Sequence, residues 1–349
     1  MLRPSIERPP MISAADWFRS AEPLTFTTRA DGVETVQGGH FAVVEAESGA
    51  SVAQAGRIDL PAFPRSSLKF IQALPLVESG AADAFNLSPS HLTLACASHY
   101  AEEGHVALVE QWLADIGCGD ADLACGPAFP WREADREATI RAGGVRWSIF
   151  HNCSGKHSGF LTVCRHEGWE IVGYDQRDHP AQQRYEANLL ALSGAAAADV
   201  RWGVDGCDLP TPALPLVDMA RAMASFAHPK TETARGQAQA RLLDAVAEAP
   251  WYLAGTDHFS VALATVTRGR IVGKIGADGY YAVAIRDRGW GLALKTLDGS
   301  LDVVDAALFS VLQRLGVLSD DEVTALSPVA LKPVKNSWGA SVGQRHVVL

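Results

Sequence analysis

Ser66-Ser67-Leu68-Lys69 sets a hydroxyl and an amine at positions i and i+3. On a helix those positions share a face, so the amine can take the hydroxyl proton and make a nucleophile competent to attack an acyl carbon. The same four residues also read as a helix cap followed by a solvated lysine. Leu68, Phe70, Ile71 and Leu74 repeat at helical spacing behind the pair and argue that it is buried. Lys274-Ile275-Gly276 is a second piece. In Ser–Lys acyl transferases a K-[ST]-G at a strand end lines the site opposite the nucleophile's helix. Ile275 replaces the hydroxyl residue here, and a surface lysine before a turn glycine is the plainer alternative. Ser98, in CASHYAE, is a candidate second hydroxyl for a proton relay; otherwise the polar groups of that segment only satisfy the backbone.

The segment HNCSGKHSGF holds Cys153, Lys156 and His157, and Cys207 lies in GVDGCDLP. Two thiolates and a nitrogen from separate loops suit zinc. No C-x-x-C is present, so spacing alone favours two ordinary buried thiols. Gly155-Lys156 lacks the upstream glycine of a phosphate-binding loop, and no G-x-G-x-x-G follows a strand. Ser158 lacks the preceding glycine of a nucleophile elbow.

These residues need elements to hold them. Two apolar runs flank Ser48-Gly49 and predict a β-hairpin. A helix capped near Ser66 follows, with Pro75 kinking or ending it. Ala107–Ile116, Gln182–Leu192 and Arg235–Ala249 show helical periodicity, with loops carrying HNCSGKHSGF and GVDGCDLPTPALPL between them. FSVALATV, RIVGKI, YYAVAIR and WGLALKT, separated by Arg268-Gly269, Asp278-Gly279 and Arg288-Gly289, predict an antiparallel meander. A helix over Leu301–Leu315 comes next. The fold class is therefore α/β in the α+β sense: an antiparallel sheet covered by helices, beside a helical lobe. The expected organisation is an N-terminal arm over 1–22 and one domain over 23–349. Its sheet lobe takes about 23–65 and 255–349, and its helical lobe about 66–254.

The chain has 349 residues and a net charge of −10, which argues against nucleic acid or an anionic membrane as partner. No stretch approaches about 18 continuous apolar residues. The Pro-rich N-terminus, in which Met11 is an alternative start, does not read as a signal peptide. Six cysteines without such a signal fit cytoplasmic thiols better than a disulfide framework.

Taken together, RSSLKFIQALPLVESGAAD, ACASHYAEEGH, HNCSGKHSGFL, GVDGCDLPTPALPL, KIGADG and LALKTLDGS resemble, in order, the blocks of the rhizobial-type (class 3) L-asparaginases. The resemblance spans about Arg65 to Ser300 and implies a fold like that of serine β-lactamases, penicillin-binding proteins and glutaminases. It implies catalytic pairs Ser66–Lys69 and Ser98–Lys274, with Arg65 and Asp205 at the substrate. It also implies one zinc per chain on Cys153, Lys156 and Cys207, assisting substrate binding, and a homodimer. The expected reaction is hydrolysis of L-asparagine to L-aspartate and ammonia through an acyl-enzyme. The rivals are a β-lactamase-like esterase or peptidase, and a non-catalytic zinc-binding protein on the same fold.

Overall fold

The computed structural model describes residues 14–348. The first part of the expected arm, Met11 included, lies outside the described residues. Within the remainder of the arm, Ala14–Arg19 is a helix. The Trp17 ring packs edge-on against His40 at 4.9 Å.

The strands are β1 (Glu22–Arg29), β2 (Gly32–Glu45), β3 (Ser51–Ala55), β4 (Pro61–Ala62), β5 (Arg201–Val204) and β6 (Pro210–Pro215). They continue with β7 (Ile271–Gly276), β8 (Tyr280–Ile285), β9 (Trp290–Thr296), β10 (Val334–Lys335) and β11 (Ser341–Val347). The main sheet runs β10-β11-β1-β2-β9-β8-β7, with β3 also paired to β2, and its pairings are antiparallel. A small second sheet runs β4-β6-β5. The N-terminal hairpin thus completes the C-terminal meander, as the sequence order suggests.

Strand alternation divides the core in two. Phe41, Val43, Tyr281, Val283, Ile285, Leu292 and Leu294 face the helices Phe259–Val266, Leu301–Arg314 and Asp320–Ala330. Ala42, Val44, Tyr280, Ala282, Ala284 and Ala293 face the helical lobe. The small side chains on that second face let the helix Leu216–Ala227 lie close on the sheet. At Gly291 an added Cβ would sit 2.0 Å from both Ala220 O and Ala224 N, so only glycine permits the approach. Lys274 has the same parity as Val272, whose side chain is on the helical-lobe side, and so its amine is directed into the site.

Several elements differ from what the residue pattern predicts. FSVALATV is a helix, Phe259–Val266, and not the first strand of the meander. His258 starts it by accepting a hydrogen bond from Ser260 N. Short apolar runs of this length fit either period. HNCSGKHSGF is not a loop: Ser154 begins a helix running to Glu167. Ser66 caps nothing. It sits inside a 3₁₀ turn, Arg65–Leu68, whose N-cap position is Pro64. The helix Lys69–Glu78 follows and runs on through Pro75. An interior proline costs about 3 kcal/mol. Phe70, Ile71 and Leu74 are fully buried, at roughly 1.5–3 kcal/mol each, and their packing offsets that cost.

Candidate active site

The Arg65–Leu68 turn is wedged against the edge of β7. Ser67 Oγ donates to Lys274 O at 2.9 Å. A Cβ on Gly276 would meet Pro64 O at 2.2 Å and Ser67 Oγ at 2.8 Å, so glycine at the end of β7 is what lets the two segments touch. Arg65, at φ 52°, holds a left-handed backbone that a non-glycine residue adopts only under strain. That strained residue immediately precedes Ser66. Ser66 is half-buried and lines two cavities.

Two lysines converge beside it, both fully buried. Lys69 Nζ donates to Ala97 O, to Ser98 Oγ at 3.0 Å and to Asn152 O at 3.3 Å. Lys274 Nζ lies 2.8 Å from Ser98 Oγ and 2.7 Å from Ile275 O. The expected pair Ser98–Lys274 is therefore in direct contact. The expected Ser66–Lys69 contact is not: the Lys69 amine turns inward to the loop carbonyls and to Ser98, and Ser66 is left facing the cavities. Burial, reinforced by the positive charge of Lys69, pushes Lys274 well below its usual value. Ser98 is thus a hydroxyl shared by two amines, one of them biased toward the neutral form.

His99 and Glu102 stay out of this relay. His99 Nε2 lies 2.8 Å from Ser154 Oγ, and its Nδ1 accepts from Ala101 N. Glu102 is occupied by Thr256 N and Oγ1 and by Arg132. These contacts tie the Ser98 loop to its neighbours.

On the other side of Ser66, Arg65 Nε pairs with Asp205 Oδ1 at 2.5 Å and its NH1 with Asp278 Oδ2 at 2.9 Å. Burial alone would raise the Asp205 carboxyl; Lys156 and Arg65 outweigh it, and Asp205 stays below the ordinary carboxylate range. Asp278 and Asn152 were not expected here. Both lie inside blocks already singled out, KIGADG and HNCSGKHSGFL, with Asp278 read only as a turn residue.

Cys153, Lys156 and Cys207 also converge, all at most 3% exposed. Lys156 Nζ is 2.9 Å from Cys207 Sγ. Cys207 Sγ is 3.8 Å from Asp205 Oδ2. Cys153 is free, and the hydrogen bond it receives from Cys207 holds it well below a normal thiol. Burial would lower Lys156, but Cys153 and Cys207 overcome it and keep the amine protonated. The donor set fits a soft divalent cation: two sulphurs and a nitrogen, all buried, with Cys207 hydrogen-bonded to both Lys156 and Cys153. Among the described residues no group of three or more His, Cys, Asp or Glu is placed to hold a metal, so a metal here requires the lysine as ligand. Lys156 must lose its proton to serve, which makes affinity rise with pH.

Among the described residues no helix is long and apolar enough to cross a membrane. The fold overlaps partially with a candidate beta-lactamase from Bacteroides dorei, at 12% identity and a TM-score of 0.42, over 79% of this chain and 93% of that one. A beta-lactamase from Mycobacterium bovis gives 14% identity and a TM-score of 0.41, over 79% of this chain and 94% of that one. No curated protein sequence matches the chain. A sequence profile described as L-asparaginase II matches residues 26–347, nearly the whole length and every site residue named above. The chain belongs to the L-asparaginase II family.

Proposed function

We propose that this protein hydrolyses the side-chain amide of L-asparagine to L-aspartate and ammonia. The observation that carries the reading is the pair of buried amines on one hydroxyl, Lys69 and Lys274 at 3.0 and 2.8 Å from Ser98 Oγ, next to a half-buried Ser66. Buried lysines with no carboxylate partner on them are unfavourable for stability, and such arrangements collect where proton transfer is needed. The Arg65–Asp205 pair adds a charge pattern that matches a free amino acid. Arg65 meets the α-carboxylate and Asp205 the α-ammonium.

Ser66 Oγ attacks the amide carbon and gives its proton to the Lys69–Ser98–Lys274 relay. Lys274, neutral by burial and by Lys69, is the base of the set. Unpaired amide N–H groups at the start of the Arg65–Leu68 turn hold the developing oxyanion. Ser98 hands the proton to the departing nitrogen, and water then cleaves the aspartyl ester. Cys153, Lys156 and Cys207 would hold one zinc. When bound, it supplies a fixed positive charge beside Asp205 that orders the substrate end of the pocket. The reading includes a homodimer, which sedimentation velocity measures directly.

The test is ammonia release from asparagine and from glutamine. Asparagine should be preferred by more than the roughly 10–200-fold that one methylene gives in a pocket, because glutamine misplaces the reacting carbon. Equal kcat/KM for the two substrates, or no ammonia from either, overturns the reading.

A further inference from the structure

Two cavities, each of about 270 Å³, meet at Ser66. They share Ser66, Trp131, Asn152 and Ala277 and otherwise differ. The first holds Arg65, Asp205 and the two thiols of Cys153 and Cys207. The second holds Ser98 and, paired with Arg65, Asp278, and is walled by Tyr100, His258, Ile275 and Leu301. The Tyr100 and His258 rings lie 5.6 Å apart, and Ile275 and Leu301 make the wall aliphatic. Burial holds His258 down at about 3, so its ring is uncharged at neutral pH.

This division fixes a direction for the substrate. With the amino-acid end on Arg65 and Asp205 and the carbonyl carbon at Ser66, the amide nitrogen points to Ser98 and the second cavity. Ammonia fills little of it, since one water needs only about 10–15 Å³ of such space. A chamber many times that size, with rings and aliphatic carbons along one wall beside a few polar groups, suits a largely apolar group carried by the nitrogen.

We propose that the second cavity is a leaving-group subsite, and that the protein hydrolyses N4-substituted asparagines with an aryl or alkyl substituent on the side-chain nitrogen. The inference rests on the asparaginase reading and extends its substrate class. The balance is that of any amide hydrolysis. Ser66 Oγ bonds to the carbonyl carbon and its proton enters the relay. The C–N bond breaks as Ser98 delivers a proton to nitrogen, and a primary amine leaves into the second cavity. Water then splits the ester to L-aspartate and restores the Ser66 hydroxyl.

The probe is L-aspartic acid β-(4-nitroanilide), followed by release of 4-nitroaniline and run beside asparagine. The wild type should cleave both. Leu301→Trp narrows the second cavity from its half-exposed rim, and Leu301 does not line the first cavity, which holds Arg65 and Asp205. It should lower kcat/KM for the nitroanilide by about tenfold or more while leaving asparagine within about twofold. Leu301→Phe, a smaller step, should give a graded loss and serves if the tryptophan variant misfolds. Asparagine turnover without nitroaniline release overturns the subsite and leaves the asparaginase reading standing. Failure on both substrates removes the asparaginase reading and the inference with it. Nitroanilide cleavage that neither Leu301 variant affects, or that falls in parallel with asparagine, overturns the assignment to this cavity.

Discussion

Lys274 and Lys156 belong to different clusters of the site, one on Ser98 and one on Cys207, and at 0% and 2% exposure they are equally hidden from water. Their surroundings differ in sign. Lys274 faces a hydroxyl, a carbonyl and the amine of Lys69, so burial and like charge both favour the neutral form. Lys156 faces two thiols and, further off, Asp205, and stays protonated in spite of its burial. Burial sets the cost of holding a charge; the partner decides whether the charge remains. One fold thereby keeps a neutral amine and a charged one buried in the same site.

The strongest way to break that comparison is to remove what the first lysine serves. Ser66→Ala changes little volume and should lower kcat by about 10³-fold or more. A variant retaining rates near the wild type means that another residue attacks. Next in size are the lysines themselves, whose Met variants should shift stability in opposite directions. Lys156→Met strands a buried thiolate and should cost about 3–5 kcal/mol. Lys274→Met removes a buried amine that has no counter-charge. It should leave stability unchanged or raised while kcat collapses. Urea unfolding of both at pH 7 reads the contrast, and losses of the same sign and size would erase it.

The pH dependence follows from the same shift. The folded-state value of Lys274 is depressed, so between it and the unfolded value near ~10.4 the unfolded chain binds more protons. Stability from this residue therefore rises with pH across that window, and the advantage of Lys274→Met fades toward its upper end. Activity follows the neutral amine: kcat/KM should climb by about tenfold per pH unit below the folded value and then level off. The apparent value belongs to the whole relay. A profile with no basic limb at any pH where the protein stays folded, or an unchanged limb in Lys274→Met, returns Lys274 to a structural role. The smallest effect on rate is expected from the thiol cluster. Cys153→Ser or Cys207→Ser should lose about one zinc per chain by elemental analysis and raise KM more than it lowers kcat. Protein free of zinc that binds asparagine with full affinity removes the metal from the account.

Much of this was legible because local chemistry and tertiary demand agree. The Ser48-Gly49 hairpin, the strands β7 to β9 and the helix at Leu301 carry periodicity and turn residues that nothing later overrides. At Asp278-Gly279 both residues have positive φ, as a tight hairpin turn requires. Legibility ended where function sets the sequence. Ser154, Lys156, His157 and Ser158 are buried on a helix, yet their polar types read as a loop. The turn holding Ser66 is 3₁₀ and Lys69 begins the α-helix after it, with its amine drawn to Ala97 O, Ser98 and Asn152 O, partners distant in sequence that the spacing of i and i+3 does not show. β1, β10 and β11 were missed because polar, partly exposed residues give them little alternation.

The order of the main sheet has a consequence in time. β11, near the end of the chain, is inserted between β10 and β1, and β9 pairs with the N-terminal strand β2. Lys274 meets Ser98 across 176 residues of chain. Contacts of such long range form slowly, because the entropy of closing the intervening loop comes before any gain. On the ribosome the β1–β2 hairpin emerges early and waits with its edges unfilled until most of the chain has been made, a state prone to pairing with other chains. The relay of two amines on one hydroxyl cannot exist in that interval. Recovery of asparagine turnover during refolding should therefore coincide with the last and slowest phase, and lag the return of helical signal by a measurable delay.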